Sequence, residues 1–146
     1  MNLFIINSDN INNSLLALQI SAVNEYANIC QEFLSVDISE VMNGVLLDKR
    51  WQNNLDPNKP PSIQSYLKAG CGFGGSCFPK DVRALSYLAN SKNLSTPILD
   101  GIISTNERQP DILVKRLSTK LVLEGSNVLL LGISFKPNTD DIRESP

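Results

Sequence analysis

From Asn13 the apolar residues fall into a helical rhythm. Leu16, Ile20, Val23, Ala27, Cys30 and Leu34 recur at alternating spacings of four and three, the pattern of a helix with one apolar stripe. Leu15, Leu18, Ala22, Tyr26, Ile29 and Phe33 widen that stripe. Twenty helical residues span about 30 Å. A helix so long and so broadly apolar is expected to be a spine covered on most sides, by its own domain or by a partner subunit. Asn12, Asn13 and Ser14 supply its expected caps. The preceding dozen residues are Asn-rich and show no clear period.

A second helix is expected from Asp37 to about Leu47, because Asp37 and Glu40 have capping-box spacing. Residues 51–65 hold three prolines and three asparagines and read as a loop. Pro79 stands where a third helix, Lys80 to about Ala89, would begin. Thr96 and Pro97 open a fourth, carried by Ile98, Ile102 and Thr105, which Pro110 is expected to kink or restart. Ile112, Leu113, Leu117 and Leu121 continue its apolar positions.

After Gly125 and Ser126 comes an uninterrupted apolar run, 128–131, the pattern of a buried parallel strand. One strand cannot make a sheet. The fold class expected is therefore mainly α: a helical domain (1–124) built on one long central helix. The first β-strand of a second, truncated α/β domain (125–146) would follow it.

Composition narrows the chemistry. Among 146 residues there is no histidine, which excludes a Ser-His-Asp or Cys-His pair and any His-ligated metal. The net charge of −2 argues against a general nucleic-acid binder. That charge is segregated. Residues 1–48 carry six acids and no base, whereas the remainder carries thirteen bases and nine acids. An anionic ligand should meet the later part. The longest apolar stretch, 15–30, is interrupted by Gln19, Asn24 and Glu25 and is not expected to cross a membrane. Three cysteines without a leader peptide point to a reducing, cytoplasmic setting.

The densest chemistry lies in Gly70-Cys-Gly-Phe-Gly-Gly-Ser-Cys77-Phe-Pro-Lys-Asp81. Its glycines let backbone pass close to a ligand or bend through positive φ. Cys77 precedes a helix start, where free amides and the helix dipole favour a thiolate, and Lys80 adds a nearby cation. On spacing alone, Cys77 reads equally as a nucleophile or as part of a structural turn. Cys30 and Cys71 read as packing residues, with Cys71 also a candidate redox partner of Cys77.

GFGGSCFPKD, residues 72–81, resembles the catalytic-cysteine signature of the UDP-glucose/GDP-mannose dehydrogenase family. The stretch from Asn13 to Glu25 resembles that family's central dimerisation helix. Asp48-Lys49-Arg50 resembles its D-x-R turn, and Tyr66-Leu67-Lys68-Ala69-Gly70 its substrate-cradling segment. The stretch from Gly132 to Ser145, with Phe135, Lys136 and Arg143, resembles the opening of its C-terminal domain. The resemblance covers residues 13–146, in the family's order.

The resemblance implies oxidation of a sugar C6 alcohol to a carboxylate, with two hydride transfers to NAD and a thioester on the cysteine. By position, Cys77 is implied as nucleophile, Asp81 as the carboxylate that handles protons and activates water, and Asn13 as an oxyanion stabiliser. Lys80 and Arg143 correspond to the cofactor side of the cleft. Tyr66, Leu67, Lys68, Ala69, Gly70, Phe73, Gly74, Phe78, Phe135 and Lys136 correspond to the substrate side, with Arg50 lent across a homodimer formed through the long helix. Serine before Cys77 favours UDP-glucose or GDP-mannose over N-acetylated sugars, and Phe73 with Phe78 leans toward UDP-glucose. Asp9 stands where the family carries a catalytic lysine, and no glycine fingerprint for NAD is present. The chain is accordingly expected to be inactive alone. The alternative is a non-catalytic helical dimerisation module. Another 6-phosphogluconate-dehydrogenase-like enzyme would not need the cysteine signature.

Overall fold

The computed structural model describes residues 6–33, 36–52, 59 and 61–146. Four helices follow one another: α1 (Ser8–Phe33), α2 (Ile38–Val45), α3 (Phe78–Asn90) and α4 (Pro97–Lys120). Two 3₁₀ turns, Lys49–Trp51 and Ser62–Tyr66, lie between α2 and α3. The latter forms the end of the stretch expected to be loop; 53–58 and 60, like Leu34, fall outside the described residues.

The long helix begins at Ser8, earlier than the cap expected at residues 12–14. Asn7 and Asn10 cap it reciprocally. The Asn10 amide donates to Asn7 Oδ1 at 3.0 Å, and the Asn7 amide donates to Asn10 Oδ1 at 3.2 Å. This is capping-box geometry with asparagine in both places. The start of α2 agrees with expectation: Asp37 accepts from the Ser39 amide at 2.7 Å.

Helices α1, α3 and α4 pack on one another around Ala17, Phe73, Val82 and Ile102, with Leu18, Ile20, Phe78, Leu99 and Ile103 against them. The face that α1 buries most deeply overlaps the expected stripe only at Val23 and Ala27. Asn10, Ser14, Ala17, Ser21 and Asn24 are buried, along with Val23 and Ala27. Small side chains let the neighbouring backbones approach, and Ser14 and Ser21 satisfy themselves on the carbonyls of Asn10 and Ile102. Ile11, Leu15, Tyr26, Ile29 and Phe33 are exposed. At 100° per residue they share one stripe, opposite the most deeply buried face, and its Ile29 and Phe33 line a cleft against α4. The domain therefore covers one side of its spine and leaves an apolar side open.

Helix α4 is a single helix through Pro110 rather than two. Ile102, Thr105 and Gln109, all buried, tie the turns before the proline to the core. Beyond α4, among the described residues, no strand is formed at 128–131. Leu129, Leu130 and Leu131 are more than 70% exposed, because a strand without a neighbour has nothing to pair with. The chain then returns: residues 135–146 lie against the glycine-rich loop and the start of α3. No described helix is long and apolar enough to cross a membrane.

Candidate active site

Cys77 is the N-cap residue of α3, with Pro79 in the first turn. Its side chain makes no capping bond, is exposed, and lies 3.8 Å from Ser76 Oγ. The thiol is thus presented at a helix mouth rather than packed in the core. One turn later Asp81 is 2% exposed, and its amide donates to the Cys77 carbonyl at 2.9 Å.

Three donors converge on the Asp81 carboxylate. Asn13 Nδ2 reaches Oδ2 at 2.7 Å, Asn10 Nδ2 reaches Oδ1 at 2.9 Å, and Lys80 Nζ reaches Oδ1 at 2.6 Å. Burial alone pushes this carboxyl up, but the hydrogen bonds from Lys80, Asn13 and Asn10 outweigh it and hold the group below its ordinary value. The hydrogen bond to Asp81 raises Lys80, and the charge of Cys77 adds a minor contribution to that rise. Asp81 is therefore an anion at neutral pH with one of its four lone-pair positions still open.

Asn10 was missed in the sequence. The signal was its spacing of three from Asn7, a cap written with unusual letters. Asp9, beside it, is exposed in the first turn of α1, where an acid suits the helix dipole. It is Asn10 that faces Asp81.

The second wall comes from the end of the chain. The Gly75 amide donates to the Arg143 carbonyl at 2.7 Å. Gly74 and Gly75 make room for this: a Cβ on Gly74 would strike the Glu144 carbonyl oxygen, and one on Gly75 would lie 2.8 Å from the Phe135 ring. Arg143 is fixed by Asp141, which accepts from its backbone amide at 3.0 Å and from Nε and Nη2 at 2.9 and 2.7 Å. Those hydrogen bonds from Arg143 hold Asp141 down at about 2. Arg143 is raised by the same pair, with a smaller contribution from Cys77. A cavity of about 520 Å³ lies here, lined by Gly75, Ser76, Pro79, Lys80, Arg83, Arg143 and Glu144. Three cations line it, each paired with an acid: Lys80 with Asp81, Arg143 with Asp141, and Arg83 with Glu144 and Glu107.

Phe78 lies between Phe73, which it meets edge-on, and Tyr66, which is tilted to it, with both ring centroids at 6.0 Å. Leu67 is buried, whereas Lys68, Ala69 and Gly70 are exposed. Lys136 Nζ stands 5.3 Å from the Phe135 ring centroid. Phe73 fills the core position of the glycine-rich loop, so Cys71 is exposed rather than packed; Cys30 is partly buried. Arg50 is exposed and locked to Asp48, through both its backbone amide and its guanidinium, in an Asp-x-Arg turn of the same kind as Asp141–Arg143. The structure thus brings Cys77, Asp81, Asn13, Lys80, Gly74, Phe135 and Arg143 together, and sets Arg50 in a separate surface turn. A larger cleft of about 1100 Å³, between the end of α1 and the second half of α4, contains none of them.

Residues 9–108 match the model of the UDP-glucose/GDP-mannose dehydrogenase family, central domain. A UDP-glucose 6-dehydrogenase of Rickettsia bellii is 38% identical over 92% of the chain, which covers 29% of that relative. The UDP-glucose 6-dehydrogenase TuaD of Bacillus subtilis is 41% identical over 92% of the chain and 27% of its own length. A solved UDP-glucose dehydrogenase from the hyperthermophilic archaeon Pyrobaculum islandicum superposes with a TM-score of 0.75 at 37% identity, over 93% of this chain and 29% of that one. The chain spans less than a third of these relatives.

Proposed function

Because the chain belongs to the UDP-glucose/GDP-mannose dehydrogenase family, we propose that it is the cysteine-bearing part of an NAD-dependent UDP-glucose 6-dehydrogenase. The observation that carries this reading is a buried, triply hydrogen-bonded Asp81 carboxylate one turn after an exposed cysteine at a helix mouth. UDP-glucose is preferred to GDP-mannose because the named relatives act on it.

NAD supplies the hydride acceptor for both oxidations. The cations around the cavity, Lys80 and Arg143, fit the anionic diphosphate of such a cofactor. The chain's own residues do the rest. Once the C6 alcohol has become an aldehyde, Cys77 Sγ adds to its carbon, and the Asn13 amide donates to the developing oxyanion. Loss of the second hydride leaves a thioester on Cys77. Asp81, held ionised, takes a proton from the attacking water. The C–S bond then breaks, Cys77 leaves as thiolate, and the C6 carboxylate is released. The open lone-pair position on Asp81 is where that water would be held.

The exposed apolar stripe of α1, from Ile11 to Phe33, supports a homodimer through the long helix, with Arg50 reaching the partner's substrate. Residues 125–146 would open a second, nucleotide-binding domain in which 128–131 pairs as a strand. Alone, the 146-residue chain would not reduce NAD with UDP-glucose; NAD reduction by the purified chain would overturn that statement.

The nucleotide sugar's C6 aldehyde tests the nucleophile directly. It should protect Cys77, and not Cys71 or Cys30, from alkylation as read by peptide mass spectrometry. UDP alone should not protect. Equal alkylation of Cys77 with and without the aldehyde would favour the non-catalytic dimerisation module.

A further inference from the structure

Helices normally satisfy backbone locally, and loops satisfy it with water. In the segment that joins the 3₁₀ turn Ser62–Tyr66 to Cys77, Gly70 and Phe73 do neither. We propose that Asn24, Asn106 and Gln109 are positioning residues. Their carboxamides grip this backbone as a neighbouring β-strand would, and so fix where the thiol of Cys77 stands relative to segment 66–70. The functional meaning of that segment rests on the reading above; the clamp itself does not.

The geometry is specific. One side chain serves both peptide groups of Phe73: its amide donates to Asn106 Oδ1 at 2.8 Å, and its carbonyl accepts from Asn106 Nδ2 at 2.9 Å. At Gly70 the work is divided between two helices. The amide donates to Asn24 Oδ1 on α1 at 2.7 Å, and the carbonyl accepts from Gln109 Nε2 on α4 at 2.9 Å. Asn24 and Gln109 are almost completely buried. Gly72, between the two clamped residues, has φ +115°, and a Cβ there would lie 2.5 Å from Asn106 Oδ1. The glycine is what lets the carboxamide come so close.

The carboxamides also have defined orientations. Gln109 Oε1 accepts from Asn28 Nδ2 at 3.1 Å, and Asn28 Oδ1 accepts from Arg116 Nη2 at 2.7 Å. A guanidinium can only donate, so the chain of bonds runs one way from Arg116 to the Gly70 carbonyl. Flipping either amide would set donor against donor. Only three residues separate Phe73 from Cys77, and Cys77 in turn caps α3. The thiol is thereby referenced to α1 and α4, the two long helices of the core, and not to α3 alone.

The test uses the 146-residue chain with amide exchange by NMR and alkylation of its cysteines by iodoacetamide, resolved by peptide mass. In Asn106→Ala, protection of the Phe73 amide should fall about tenfold, while the amides of Val82 and Ile102 keep theirs. The ratio of Cys77 to Cys30 alkylation rates should shift by about threefold or more. Asn106→Asp has the same shape and keeps the acceptor but loses the donor. It should retain Phe73 amide protection and still shift the ratio by about twofold, and it carries the test should the alanine variant fail to fold. Unchanged Phe73 protection in the alanine variant would overturn the clamp. Lost protection with an unchanged alkylation ratio would overturn the positioning role, and an equal loss at Val82 and Ile102 would reduce both to general packing. Neither readout needs a nucleotide sugar or a cofactor, so this inference and the enzymatic reading fail separately.

Discussion

Gly74→Ala should release the end of the chain from the candidate site while leaving the helical core intact. Gly74 is buried, and its neighbours are backbone: an added Cβ would strike the Glu144 carbonyl oxygen, with the Glu144 carbonyl carbon at 2.8 Å and Phe135 Cβ at 2.9 Å. No side-chain rotation relieves such a contact, which costs about 1–3 kcal/mol if both segments stay in place. What opposes it is small. The Gly75–Arg143 hydrogen bond contributes about 1 kcal/mol. Partial burial of the Phe135 ring contributes roughly another 1 kcal/mol. The half-exposed Arg83–Glu144 pair, at 3.1 Å, adds little in water. Undocking is therefore the cheaper response.

Since every 1.4 kcal/mol is a factor of ten, undocking a segment held by about 2 kcal/mol should speed exchange of the Gly75 amide by roughly 10–30-fold. Global stability in urea should change by less than about 1 kcal/mol, because Ala17, Val82 and Ile102 are untouched. Gly101→Ala is the control. No heavy atom lies within 4 Å of its added Cβ, and in mid-helix it should stabilise by roughly 0.5–1 kcal/mol without touching Gly75 exchange. Unchanged Gly75 exchange in Gly74→Ala would mean that the close approach of Glu144 does not hold the segment there, and a loss of core stability as large as that of a core truncation would mean that the segment is not separable from the core.

Val82→Ala, at a fully buried position between α1 and α4, should cost about 2 kcal/mol in urea unfolding; a change below about 0.5 kcal/mol would mean the core is elsewhere. Acid should destabilise the chain through Asp81. Its folded value lies below the ordinary 3.8, so its contribution is present above that pH and is lost as the pH falls through the lowered value. Asp81→Asn should flatten that acid limb in a pH series of unfolding curves, and an identical limb in both proteins would count against the assignment. Leu15→Asp together with Ile29→Asp should convert a dimer to a monomer in sedimentation velocity with far-UV circular dichroism unchanged, since both side chains are exposed. A monomeric unmodified chain would remove the proposed interface.

Helix starts with strong local chemistry were legible in the sequence. Asp37 caps α2, and Pro79 and Pro97 stand in the first turns of α3 and α4. The start of α1 was not, because its cap is built from two asparagines rather than the usual Ser or Thr with Glu. The cysteine signature told where the chemistry is concentrated, and Cys77 does stand exposed at a helix mouth. The partners of Asp81 were only half legible. Asn13 belongs to a recognisable motif, whereas Asn10 acquires its meaning from a residue 71 positions away.

Local conformation follows from near neighbours along the chain: which segments are helical, where glycine permits a bend, which arginines are locked by an Asp two residues earlier. These depend on neighbours within one turn. Which face of α1 lies inside depends instead on how three helices pack. Hydrophobic periodicity selects the bulky residues, yet close packing of three helices selected Ser14, Ala17, Ser21 and Asn24, because small side chains admit backbone and carboxamides can serve it. The same packing left Leu15, Tyr26, Ile29 and Phe33 to water. It also left 128–131 unpaired, since a strand exists only through a neighbour that its own residues cannot supply.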